Sequence, residues 1–124
     1  MSGADGGKEP LAGDIRKFVE ERNWERFHSP KNLSMALAGE AAEILEIFQW
    51  MTQEQSRNLD EEKLGLLADE IADVYIYLFM LADKTGVDIA QAAKAKLQKN
   101  REKYPAGKWR DERDAPSTSG GPSL

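Results

Sequence analysis

Cysteine is absent from this 124-residue chain. That excludes disulfides and thiolate metal sites and is compatible with the cytosolic location expected here. Histidine occurs once, at His28, so the Glu-x-x-His pairs of di-iron helix bundles cannot be built. No uninterrupted apolar run reaches the roughly 18 residues of a membrane span, and no membrane partner is expected. The basic excess of a nucleic-acid binder is also missing: the formal net charge is −5, with 31% of residues charged, so no nucleic-acid partner is expected. Strand signals are weak, with no clean alternating run and no Asn-Gly or Asp-Gly turn between alternating segments. Met1 to Glu9 is polar and lacks the apolar stretch of a secretory signal, so none is expected.

What is present reads as one small helical domain. Residues 1–13, with four glycines, suggest a flexible N-terminal segment. Residues 105–124, rich in Pro, Ser, Gly and charge, suggest a disordered tail. Between them, residues 14–104 form the expected domain. A first helix is expected from Asp14 to about Glu25, with Ile15, Phe18 and Val19 inward. Ser29-Pro30 opens a second, running to about Trp50. Thr52 and Gln55 form a capping-box pattern. Asp60 caps a long helix ending near Lys84, with Gly86 as its stop. Asp88 with Gln91 opens the last helix, to about Tyr104. The expected fold is all-α, an antiparallel bundle of four main helices.

Two of these helices carry acids where apolar residues belong. Leu33, Leu37, Glu40, Ile44 and Ile47 recur at helical spacing and share one stripe; Glu43 lies one turn beyond Glu40. In the long helix Leu66, Glu70, Asp73, Tyr77 and Met80 form one stripe, and Leu67, Ile71, Val74, Leu78 and Leu81 form a second. No Lys or Arg occurs from Leu33 to Thr52, or from Leu64 to Asp83. Were the four acids to face one another, each pair at about 5 Å would cost roughly 3 kcal/mol at an effective dielectric near 20. Together that is on the order of 10–20 kcal/mol, as large as a domain's whole stability. Protonation, separation or a cation must relieve it. Hard oxygen donors suit Mg²⁺, Mn²⁺ or Ca²⁺ rather than zinc. The competing reading is a solvated acidic edge.

Glu40-x-x-Glu43, 26 intervening residues and Glu70-x-x-Asp73 resemble the signature of the MazG-like nucleotide pyrophosphohydrolases. Arg22 to Leu33, Gly39-Glu40 with Phe48-Gln49-Trp50, Asp69 to Leu78 and Asn100-Arg101-Glu102-Lys103-Tyr104-Pro105 look like the dCTP pyrophosphatase branch. The resemblance spans about residues 14–105. It implies a homo-oligomer, dimer or tetramer, built from helix bundles. It also implies Mg²⁺ (or Mn²⁺) held by Glu40, Glu43, Glu70 and Asp73, and hydrolysis of a nucleoside triphosphate to monophosphate and pyrophosphate. dCTP or a modified dCTP is the substrate it suggests, in a role of cleaning the dNTP pool.

The same resemblance assigns substrate contacts to Trp24, Glu25, Arg26, Phe27 and His28 and to Trp50, the two tryptophans enclosing the base. Core or interface packing is the alternative for the tryptophans, and a backbone-bonded helix-start residue for His28. Tyr77, one turn past Asp73, can meet the sugar or a phosphate, or serve as a core tyrosine. Lys96, Asn100 and Tyr104 share one helix face and match triphosphate-holding positions; a solvated face beside Lys94, Lys99, Arg101 and Lys103 is the alternative. Glu43 is the expected general base, and Glu46, one turn on, reads as surface. Some close relatives place a base-touching histidine in the first helix; Asp14 to Arg22 has none, which leaves the base open. Rival readings are a pyrophosphohydrolase for dUTP, another (d)NTP or phosphoribosyl-ATP, and a helical scaffold without catalysis.

Overall fold

The computed structural model describes residues 10–107. Among them are helices α1 (Pro10–Glu21), α2 (Pro30–Phe48), α3 (Gln53–Arg57), α4 (Glu61–Thr85) and α5 (Ile89–Lys103), a 3₁₀ turn at Glu25–Phe27, and no strand. The all-α expectation holds. The described chain divides after Asp88 into two compact units, with α5 in the second. Residues 1–9 and 108–124, which carry most of the two expected terminal segments, lie outside the described residues.

The helix boundaries follow from local chemistry. Ser29 Oγ accepts from the Asn32 N–H at 3.1 Å ahead of Pro30, a cap worth about 1 kcal/mol. Thr52 and Gln55 satisfy each other's backbone at 3.1 and 2.9 Å, the reciprocal capping box. Asp60 Oδ1 accepts from the Lys63 N–H at 2.8 Å, and that backbone bond holds its carboxyl below the usual range. Gly86, at φ 75°, ends α4 in the left-handed region that glycine adopts without strain.

The first helix departs from expectation at both ends. It starts at Pro10, not Asp14, because proline is tolerated at a first helical position and Ala12, Ile15 and Val19 extend one buried stripe. Residues 10–13 are therefore helical rather than flexible. It stops at Glu21, not Glu25. Asn23 takes φ 55°, while the Asn23 and Trp24 N–H groups bond Glu20 O at 3.0 Å and Val19 O at 3.1 Å. That is the paired-bond ending usually supplied by glycine. Phe18, expected inward, is exposed, with the Arg22 guanidinium 3.8 Å over its ring and Trp24 edge-on at 5.4 Å.

In the first unit α4 packs against both α2 and α1. Ile15, Val19, Leu33 and Met80 form the buried cluster, with Ile76, Tyr77, Phe79 and Leu81 packed on it. Each such side chain contributes about 1.5–3 kcal/mol when fully buried. Leu33 meets Met80, while Glu40 and Glu43 meet Glu70. Rising numbers on α2 thus pair with falling numbers on α4, and the two helices run antiparallel. The covering is incomplete. Leu66 of the first α4 stripe and Ile71 and Leu78 of the second are exposed, as are Met35 and Leu45 on α2.

Candidate active site

The expected α2 stripe is real: Leu33 is buried, and Leu37, Glu40, Ile44 and Ile47 are half-buried. Helical spacing therefore carries Glu40 into the α2–α4 seam, where Glu70 meets it. Glu40, Glu43 and Glu70 each place a carboxylate oxygen so that all three lie within 4.8 Å of one another. Glu40 Oε2 and Glu70 Oε2 are buried with no hydrogen-bond partner. Asp73 stands one turn further along α4, half-buried and outside that triangle; its charge still reaches Glu40. The structure thus gathers three of the four expected acids and sets the fourth beside them. Glu46 is exposed.

The electrostatics follow from the crowding. Burial first, then hydrogen bonding and repulsion from Glu43, raise the Glu40 pKa. Hydrogen bonding with Glu43, burial, and the charges of Glu43 and Glu40 push Glu70 up to about 7. Two buried carboxylate oxygens without donors, in a seam without a basic side chain, offer the all-oxygen donor set a hard divalent cation takes. The group can hold a metal ion. Glu43 is the exposed member.

Further along α4, that helix, α1 and the 3₁₀ turn with His28 line a cavity of about 390 Å³. Met80 lies seven residues past Asp73 on α4, about 10 Å along the axis and on nearly the same face. The apolar wall is Ile15, Val19, Phe79 and Met80. Arg16 and Asp83 also line it but are committed to each other, with Nη2–Oδ1 at 2.7 Å and Nε–Oδ2 at 3.1 Å. The remaining charged or polar lining is Glu20, Glu25, His28 and Lys84. Burial first, then Lys84, lowers the His28 pKa. Sequence reasoning found Glu25 and His28. It missed Glu20, Arg16, Asp83 and Lys84, which read along the chain as ordinary solvated charges.

The other candidates sit as follows. Trp24 is half-exposed, edge-on to Phe18 at 5.4 Å and to His28 at 6.2 Å. Arg26 lies 4.7 Å over the exposed Phe27 ring. The Asn32 amide donates to Phe27 O at 3.0 Å, tying the turn to the start of α2. Tyr77 packs on the buried cluster between the acids and the cavity. Trp50 is 89% exposed beyond the far end of α2, whose 19 residues span about 28 Å. Trp24 and Trp50 thus stand at opposite ends of α2, as expected, and their closing on one base calls for a second copy. Lys96 and Asn100 lie on α5 and Tyr104 just past its end; Asn100 and Tyr104 are half-buried, Lys96 is exposed, and the Tyr104 N–H donates to Asn100 O at 2.7 Å.

A model of the MazG-like family matches residues 36–114. The chain is 42% identical over 103 residues to dCTP pyrophosphatase 1 of Mus musculus, covering 78% of this chain and 61% of that protein. It is 41% identical over 104 residues to dCTP pyrophosphatase 1 of Homo sapiens, covering 79% and 61%. The chain thus spans about three fifths of the length of these curated relatives. A crystal structure of a pyrophosphatase from Archaeoglobus fulgidus superposes with a TM-score of 0.73 at 41% identity, covering 77% of this chain and 89% of that one.

Proposed function

Because the chain belongs to the MazG-like family, we propose that it hydrolyses a nucleoside triphosphate, dCTP or a modified dCTP, to the monophosphate and pyrophosphate. The observation that carries this reading is the convergence of Glu40, Glu43 and Glu70 with two donorless buried oxygens. Glu40, Glu70, Glu43 and the adjacent Asp73 would hold Mg²⁺, or Mn²⁺ in its place. When bound, the cation neutralises charge on the phosphate oxygens and orients them. Glu43, the triad member open to solvent, accepts the proton of the attacking water and passes it to bulk. Cleavage falls on the α–β phosphoanhydride, and positioning carries most of the rate.

The base enters the cavity beside Glu25 and His28, with Tyr77 lying between it and the acids. Trp24 and Arg26–Phe27 brace that wall. Met35, Leu45, Leu66 and Ile71 are exposed apolar side chains that burial against a second copy would remove from water. They support a homo-oligomer, dimer or tetramer, in which Trp50 of one copy reaches the nucleotide of another. A cytosolic location suits an enzyme of the dNTP pool, and cell fractionation tests it. No helix among the described residues is long and apolar enough to cross a membrane.

The test is a panel of triphosphates with pyrophosphate detection, with Mg²⁺ and with chelator. Magnesium-dependent pyrophosphate release, greatest for dCTP, supports the reading. Release greatest for dUTP or another (d)NTP redirects it within the same chemistry. No release from any triphosphate leaves a scaffold.

A further inference from the structure

The cavity, nearly three turns of α4 beyond Glu70 of the acid triad, carries charge that the protein does not use. Arg16 and Asp83 bond each other through three hydrogen bonds. Glu20 on α1 and Lys84 on α4 also line the space. Among the described residues, neither side chain makes a hydrogen bond or an ion pair. A carboxylate only accepts, and an ammonium only donates. A ligand that satisfies both, against the apolar wall of Ile15 and Met80, must present a donor to one and an acceptor to the other.

We propose that Glu20 and Lys84 set the base preference. Glu20 accepts from the exocyclic amine of cytosine, and Lys84 donates to its ring carbonyl. This rests on the reading that the acid triad cleaves a nucleoside triphosphate whose base enters this cavity. With the exocyclic group of the ring set against Glu20 and the ring carbonyl against Lys84, cytosine alone among the pyrimidines meets both demands. Uracil and thymine carry a carbonyl where cytosine carries its amine, so they set acceptor against acceptor at Glu20. A site that hydrogen-bonds one group strongly rejects the analogue lacking it. The carbonyl that meets Lys84 is common to cytosine and uracil, so Lys84 adds affinity without choosing between them.

The experiment measures kcat/KM for dCTP and dUTP by pyrophosphate release, on the full chain with Mg²⁺. The parent is expected to prefer dCTP by at least about tenfold. In Glu20→Gln the amide donates as well as accepts, so the ratio falls toward one while turnover persists. Lys84→Met raises KM for both substrates alike and leaves their ratio. Circular dichroism verifies the fold of each variant. A ratio unchanged in both Glu20→Gln and Glu20→Ala, with dCTP still cleaved, overturns this inference alone. So does an equal loss on both substrates by Glu20→Gln. A parent that cleaves no triphosphate overturns the underlying reading, and this inference with it.

Discussion

Seven residues separate Asp73 from Met80 on α4, and over those two turns the helix passes from the seam with α2 to the cavity lined with α1, whose character differs. At the acid end like charges crowd, with two oxygens left donorless. At the cavity end charges of both signs stand over an apolar wall, and one pair is already neutralised. The first region is crowded by like charge, and the second is largely balanced. On the proposed function, chemistry falls to the crowded end and recognition to the balanced one. Variants at the two ends should therefore fail differently.

The largest effect is expected at the acid end. Glu40→Gln or Asp73→Asn should lower kcat/KM for dCTP by about 10³-fold or more, the several kcal/mol that a positioned cation supplies. Helical circular dichroism should be retained. If a variant at the acid end changed only substrate preference, the division of labour between the two regions would be wrong.

The pH dependence of stability sharpens the comparison. Glu70 is pushed up to about 7 from its ordinary 4.5, so the folded state holds a proton that the unfolded chain releases. Between those values the native state binds more protons, and stability falls as pH rises. The Tm of the chelated protein should therefore climb as pH is lowered from 8 toward 5. With saturating Mg²⁺ that climb should vanish or reverse, because the cation competes with the proton for the same oxygens. Thermal melts across that range, with and without chelator, check both arms. A metal-free Tm that rises with pH would contradict the crowding.

The smallest effect belongs to the cavity end. Arg16→Ala or Asp83→Ala removes a pair whose side chains are 42% and 38% exposed. Solvent screening limits it to about 1 kcal/mol or less. A drop in Tm of a few degrees, shrinking at high salt, is expected. A much larger loss would mean that this pair, rather than Ile15, Val19 and Met80, holds α1 in place.

The two regions also differed in how far the sequence announced them. Glu40 and Glu70 were legible because helical period alone fixes which face a residue takes, and the missing lysines and arginines removed the ordinary explanation. The caps at Ser29, Thr52 and Asp60 and the stop at Gly86 were legible because each is a bond or torsion within a few residues. The cavity was not. Its Arg16–Asp83 pair joins positions 67 apart, and nothing local marks them as partners. The end of α1 was hidden because Asn23, not glycine, takes the left-handed torsion. The resemblance of Trp50 to a base-enclosing residue was visible in the sequence; which copy's nucleotide it faces was not, because that depends on how copies assemble.

Whether the acid end takes up a cation is most directly read by isothermal titration of Mg²⁺ into the protein with a non-hydrolysable dCTP analogue present, comparing the parent with Glu40→Gln/Glu70→Gln. Saturable binding in the parent and none in the double variant is the expected result. Equal heats from both proteins, or none from the parent, would contradict it.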